Sequence, residues 1–238
     1  VHFKIKETKL PEIMVLTTYP PRECGIATYS QDLILALKNK YKSSFQLKIV
    51  PLELENEPHL YAEKMEEALN TNQQKSYINL AKNCNQNNQL EVVLIQHEFG
   101  LFRNNESDLI ALLSTINKPK IIVFHTVLPL PSQELKNHVA EINEEVKSIV
   151  VMTNSAAKLL INDYNINPEK ISVIPHGTHL VEHLNKEVLK EKYGFSKRKI
   201  ITTFGLLSSG KSIETSLNAL PAIIKENPDV LFLIIGKT

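Results

Sequence analysis

Cysteine is scarce in this chain, with Cys24 and Cys84 the only two among 238 residues. They lie far apart and in no CxxC pair, so neither a disulfide framework nor a zinc cluster is indicated, and a cytoplasmic, reducing setting is the expectation. An excess of charge of one sign is also missing. Lysines and arginines number 27 against 26 acids, a net +1, and no block of like charge of the kind that tracks a nucleic-acid backbone or an anionic membrane is present. Nor is there a long hydrophobic run. The longest purely apolar strand-like segment, Val230 to Ile235, is about a third of a membrane span, and the opening Val1-His2-Phe3-Lys4-Ile5-Lys6 lacks the apolar core of a secretory signal. The dinucleotide fingerprint GxGxxG is absent, which argues against a nicotinamide-dependent enzyme. With 42% hydrophobic and 22% charged residues, what remains is an ordinary globular composition. The chain starts on valine and stops at Gly236-Lys237-Thr238, directly after a strand-like run, and is expected to be a piece of something longer.

Short apolar runs rich in Val and Ile recur at Ile13 to Thr18, Leu47 to Leu52, Val92 to Ile95, Ile121 to Phe124, Ile149 to Met152, Ile171 to Ile174, Ile200 to Phe204 and Val230 to Ile235. Runs of this length without polar alternation fit strands covered on both faces. Segments of helical spacing separate most of them, with one apolar stripe at Tyr29, Leu33, Ala36 and Leu37 and another at Leu109, Leu112, Leu113 and Ile116. The alternation predicts an α/β protein with a Rossmann-like, doubly wound parallel sheet. Eleven Asn or Gln among the twenty residues Asn70 to Gln89 suggest a polar tract, yet Tyr77, Ile78 and Ala81 give it the apolar face of a surface helix. A domain boundary is expected between Tyr193 and Lys199, dividing 1–195 from 196–238, because Gly194-Phe-Ser-Lys-Arg interrupts the pattern there. The unit after it, roughly 40 residues, is near the lower limit for independent folding and must lean on other chain.

In doubly wound sheets ligands sit beyond the carboxyl ends of the strands. Those ends are polar here: Tyr19-Pro-Pro-Arg-Glu-Cys-Gly25, Gln96-His97-Glu98, His125-Thr126 and Pro175-His176-Gly177. Gly25 allows close backbone approach at a helix start, or else caps that helix for its dihedrals alone. Cys24 reads as a small packed side chain rather than a nucleophile. His176, His179 and His183 match HxxHxxxH, although a strand-end position for His176 does not assure a shared face. The segment Gly205-Leu-Leu-Ser-Ser-Gly-Lys211-Ser212 satisfies the phosphate-binding GxxxxGK[ST] pattern between a strand and a helix. A triphosphatase of that class needs an acid at another strand end, and the run that follows ends Ile234-Ile235-Gly236. The weaker content stands: helix-start amides plus a lysine make an anion site.

Taken in order, CGIAT, IQHEFG, FHTVL, VMTNSAAKLL, IPHG and TFGLLSSGKSIE resemble the retaining glycosyltransferases of family 4, the group-1 type with two facing Rossmann-like domains known as the GT-B fold. The resemblance covers nearly the whole chain. It implies the N-terminal, acceptor-side domain of an enzyme that moves a sugar, with retention, from a nucleotide-sugar donor to a glycan, lipid-linked or small-molecule acceptor. No metal or other cofactor is implied, and no nucleic-acid partner. Gly25 and Gly205 match donor-side glycines, Lys211 the lysine that pairs with the departing diphosphate, and His125 the catalytic histidine beside the transferred sugar. Arg22, His97, Glu98, Thr126 and His176 fall on the acceptor side of the cleft. The sequence departs from the family pattern in carrying Leu206 where an arginine is usual, in having one glycine in the first loop, and in ending before the family's second glutamate motif. On these grounds the chain alone is expected to be inactive. A sugar- or nucleotide-binding module without turnover is the alternative, with a phosphate-loop nucleotide-binding protein a third reading.

Overall fold

The computed structural model describes residues 10–53, 59–62, 65–178, 181–205, 207 and 209–236. Two compact units divide the chain, Val1–Gly177 and Thr178–Thr238.

The first unit is built on a sheet of seven parallel strands. β1 (Glu12–Thr17), β2 (Gln46–Glu53), β3 (Leu69–Asn70), β4 (Leu90–His97), β5 (Lys120–Phe124), β6 (Ser148–Val151) and β7 (Ile171–Val173) lie in the order β3-β2-β1-β4-β5-β6-β7. Every pairing is parallel, with Val15 opposite Ile49 on one side and Leu94 on the other. Helices α1 (Gly25–Tyr41), α2 (Gln74–Gln86), α3 (Glu106–Thr115), α4 (Gln133–Glu145) and α5 (Asn154–Tyr164) supply the crossovers. Polar side chains start several of them: Ser132 accepts from Leu135 N–H at α4 and Thr153 from Ala156 N–H at α5, while Asn165 closes α5 in the left-handed region. The α/β, Rossmann-like expectation therefore holds.

Side chains alternate between two apolar layers. Val15, Ile49 and Tyr19 pack with Ile34 of α1, whereas Met14, Leu16, Ile95, Ile122 and Ile149 join the larger layer made by α2 to α5. Each such fully buried aliphatic contributes about 1.5–3 kcal/mol relative to exposure. The expected stripe Leu109, Leu112, Leu113 and Ile116 is wholly buried. On α1 the buried line is instead Ala27, Ser30 and Ile34, because the Ser30 and Thr17 hydroxyls meet at 2.6 Å and Tyr29 turns toward the strand ends. On α2, Tyr77 and Ala81 are buried as expected, joined by Leu80 and Cys84, but Ile78 is 61% exposed.

The second unit holds α6 (Lys186–Lys192), β8 (Lys199–Phe204), α7 (Ile213–Glu226) and β9 (Val230–Ile235), with β8 and β9 parallel. The unit division thus precedes the Gly194–Arg198 break and takes α6 into the second unit. The first sheet ends at β7, and the short α6 buries no residue. Among the described residues β8 and β9 are not covered on both faces as expected of such runs: Phe204 is 74% exposed and Ile235 47%. A ribbon of two strands has too few neighbours to bury them.

Candidate functional site

The strand order reverses at β1, whose neighbours are β2 and β4, and a crevice at the carboxyl ends of these strands is where a doubly wound sheet binds ligands. The loop leaving β1 contains a cis peptide between Pro20 and Pro21 and closes a turn through Arg22 N–H to the Tyr19 carbonyl. It delivers the chain to α1 at Cys24, whose sulfur accepts from Ala27 N–H at 3.4 Å and meets the Thr18 hydroxyl at 3.1 Å. Cys24 is therefore the helix cap. Gly25 is exposed at the first turn, and a Cβ there would meet nothing within 4 Å. The first turn of a helix has backbone N–H groups without intrahelical partners, which favour an anion.

Four predicted residues come together beside this loop. His125, just past β5, places its Nε2 2.8 Å from Gln96 Oε1. Its ring packs nearly perpendicular to that of Tyr29 at a centroid distance of 5.1 Å, and the tyrosine ring also contacts that of His176 at 4.9 Å. His176, past β7, is exposed and hydrogen-bonds the Gly177 carbonyl through Nδ1. The Thr126 hydroxyl donates to one oxygen of Glu98 at 2.5 Å, while the other oxygen accepts from Phe99 N–H at 3.1 Å. Glu98 and Thr126 thus tie the ends of β4 and β5 together. Arg22, within the loop, is half-buried and close enough to Tyr61 that its charge opposes the rise in the Tyr61 phenol, which burial and Glu53 push upward.

Burial, with a smaller contribution from His176, pushes His125 down to about 4, so the ring is neutral at pH 7. It can donate or accept a hydrogen bond there without offering a fixed positive charge. Burial also raises the Tyr29 phenol, which stays protonated.

His97 does not join this group. Its ring is 0% exposed and enclosed by Phe99, Phe102 and Phe124 at centroid distances of 5.0, 5.5 and 4.8 Å. The strand alternation that turns Gln96 toward α1 turns His97 into the opposite apolar layer, so its side chain is placed away from the other strand-end residues expected on the acceptor side. Tyr29 and Gln96, which sequence reasoning left out of the site, take part in it. The signal for Tyr29 was its place one turn beyond Gly25, on the end of α1 that faces the loop.

The second unit carries the other candidates. Gly205 has φ +125, and the position of a Cβ on it would be 3.1 Å from Lys211 Nζ, so the lysine lies directly over the glycine. Gly236, at φ +157, backs onto the same turn: a Cβ there would sit 1.8 Å from the Gly205 carbonyl oxygen. A single 3-10 turn, Ser209–Lys211, precedes Ser212 in the left-handed region, and α7 begins only at Ile213. Leu206 and His179 lie outside the described residues. Among the described residues no group of three His, Cys, Asp or Glu is placed to hold a metal ion, and no helix is long and apolar enough to cross a membrane.

No protein-family model matches the chain, and no curated protein does. Solved structures share its fold. A glycosyltransferase from Rickettsia africae ESF-5 matches with a TM-score of 0.59 at 16% identity, over 95% of this chain and 68% of its own. An alpha-glucosyltransferase in complex with UDP-glucose and DNA containing an abasic site matches at 0.56 and 12%, over 95% of this chain and 67% of its own. An alpha,alpha-trehalose-phosphate synthase (UDP-forming) from Burkholderia vietnamiensis matches at 0.55 and 12%, over 97% and 64%. The chain is thus similar in fold to glycosyltransferases and spans roughly two thirds of their length.

Proposed function

We propose that this chain is the N-terminal part of a retaining, family-4-type glycosyltransferase of GT-B architecture that uses a nucleotide-sugar donor. The observation that carries the reading is the gathering of Tyr29, His125, His176 and the Glu98–Thr126 pair beyond the carboxyl ends of one parallel sheet, next to a helix start at Gly25. The fold shared with glycosyltransferases supports it. Two of the similar structures contain UDP or UDP-glucose, which favours a nucleoside diphosphate as the departing group.

The chemistry follows from charge. Cleavage of a sugar from a nucleoside diphosphate builds negative charge on the leaving group, and groups fixed in place before the reaction stabilise that charge more in the transition state than in the ground state. Lys211, held over Gly205, and the backbone amides at Gly25 are the candidates for this task. A neutral His125 cannot neutralise a phosphate; it suits a contact with a sugar hydroxyl. Arg22, Glu98, Thr126 and His176 remain the candidates for the acceptor. The acceptor is a glycan, a lipid-linked or a small molecule, and the reaction is cytoplasmic and needs no metal.

The test is transfer by the full-length polypeptide that contains this chain, incubated with UDP-, GDP- and ADP-sugars and mixed acceptors, with EDTA in a parallel set. Nucleoside diphosphate release that depends on acceptor is expected, with or without EDTA. Because two of the similar structures hold DNA, duplex DNA belongs among the acceptors. Binding of nucleotide sugars without any turnover would favour the non-catalytic module instead.

A further inference from the structure

Gln96 lies under the site edge and touches its central histidine. The side chain is 0% exposed, on the face of β4 that looks toward α1. Its Oε1 is 2.8 Å from His125 Nε2, while its own Nε2 is buried without a partner. The backbone of His125 is fixed as well, its N–H donating to the His97 carbonyl at 3.0 Å. With the Tyr29 ring packed nearly perpendicular to it, His125 is held by its main chain, a ring contact and one ring nitrogen.

A glutamine whose amide is only half satisfied is a poor choice for packing. A buried donor left without a partner destabilises the fold, and methionine or leucine would fill similar space without that penalty. The residue makes sense if the half that is satisfied serves the histidine. A carboxamide oxygen only accepts, so the ring nitrogen facing it must carry the proton.

We propose that Gln96 is a positioning residue that locks His125 in the tautomer protonated on Nε2, leaving Nδ1 as a hydrogen-bond acceptor for a ligand hydroxyl. This rests on the reading of the strand edge as a sugar site, and it narrows what His125 can meet there. An acceptor nitrogen pairs with the O–H of a sugar and is repelled by phosphate oxygens, so the ring addresses the sugar and not the diphosphate. The titratable groups around it are Tyr29 of α1, His176 beyond β7, and His97 and Glu98 from β4 and the turn after it. A neutral ring, as burial enforces, is what such a lock requires.

Histidine-labelled chain, examined by long-range proton–nitrogen correlation with His125→Ala to assign the signals, reads the tautomer directly. A neutral ring protonated on Nε2 from pH 8 down to pH 5 is expected. Gln96→Met, which keeps the volume, should replace that fixed tautomer by an average of the two. Gln96→Glu should keep the proton on Nε2 and leave the ring charged at pH 6. Protonation on Nδ1 in the wild type, or an unchanged signal in Gln96→Met, overturns the proposal. If Gln96→Met does not fold, the wild-type tautomer and the glutamate variant decide. In the full-length polypeptide Gln96→Met should lower kcat more than it raises KM; equal values for variant and wild type count against the lock. Failure of the wild type to transfer any sugar would sink the glycosyltransferase reading and leave the tautomer result standing.

Discussion

Acid should weaken the first unit through His97, and the size of the effect follows from its surroundings. The ring is fully buried among three phenylalanines, and neither nitrogen has a partner. Burial is the chief reason its pKa falls to about 3 from the ordinary 6.5, with His138 and His125 acting in the same direction. Because the folded value is the lower one, the unfolded chain binds the proton more readily between pH 6.5 and 3. Stability is therefore complete above pH 6.5 and declines as the pH falls through that window. Each pH unit below 6.5 removes about 1.4 kcal/mol, so pH 5 removes about 2 kcal/mol through this one side chain. Against a whole-domain stability of about 5–15 kcal/mol that is readily measured. Urea unfolding followed by circular dichroism at pH 7 and pH 5, at constant ionic strength, should show His97→Leu gaining about 2 kcal/mol relative to wild type between the two conditions. His125 and His138, also depressed, are common to both proteins, and the comparison cancels most of their contribution. Parallel losses of stability in variant and wild type would refute the reasoning, since they would mean that His97 is either solvated or already protonated in the fold.

Replacing His125 with alanine in the full-length polypeptide should abolish transfer while costing about 1–3 kcal/mol, because buried Gln96 Oε1 loses its partner, or roughly 2–4 °C of melting temperature per kcal/mol; complete loss of the folded state would return the residue to a structural role. Cys24→Ser should retain the start of α1 and Cys24→Ala should cost about 1 kcal/mol, so melting curves must rank the serine variant above the alanine one. Lys211→Ala should weaken nucleoside diphosphate binding measured by calorimetry, and added salt should weaken the wild type toward the variant. Gly236→Ala should disrupt the second unit, since its Cβ would collide with the Gly205 carbonyl, and an unchanged melting profile would show that the turn has room to move.

Every apolar run read as a strand is a strand: those of the seven-stranded sheet are runs of Val and Ile buried under helices, which leave few alternatives, and β8 and β9 form although Phe204 and Ile235 stay exposed. The strand that escaped notice, β3, has two residues, Leu69 and Asn70, and no run to see. The buried line of α1 was misplaced for a different reason. Tyr29 and Ala36 fit an apolar stripe by residue type, yet a serine at position 30 is buried because Thr17 is opposite to receive its hydroxyl. Such a partner is visible only once β1 and α1 are side by side.

The site was legible as an edge and not as a set of side chains, and Gln96 and His97 show why. A strand buried on both faces carries no polar alternation, so nothing within Val92 to Ile95 says which way the two polar residues after it will turn. That they turn opposite ways does follow from the pleat. The layer made by α2 to α5 is lined with leucine, isoleucine and phenylalanine, whereas the α1 layer tolerates Ser30 and Thr17. Glutamine, which cannot shed its polarity, finds a partner in His125 on the second side, and histidine enters the first by giving up its charge. The assignment of one residue to the site and its neighbour to the core is thus decided by the helices across from them, a property of the packed layers that no single stretch of sequence contains.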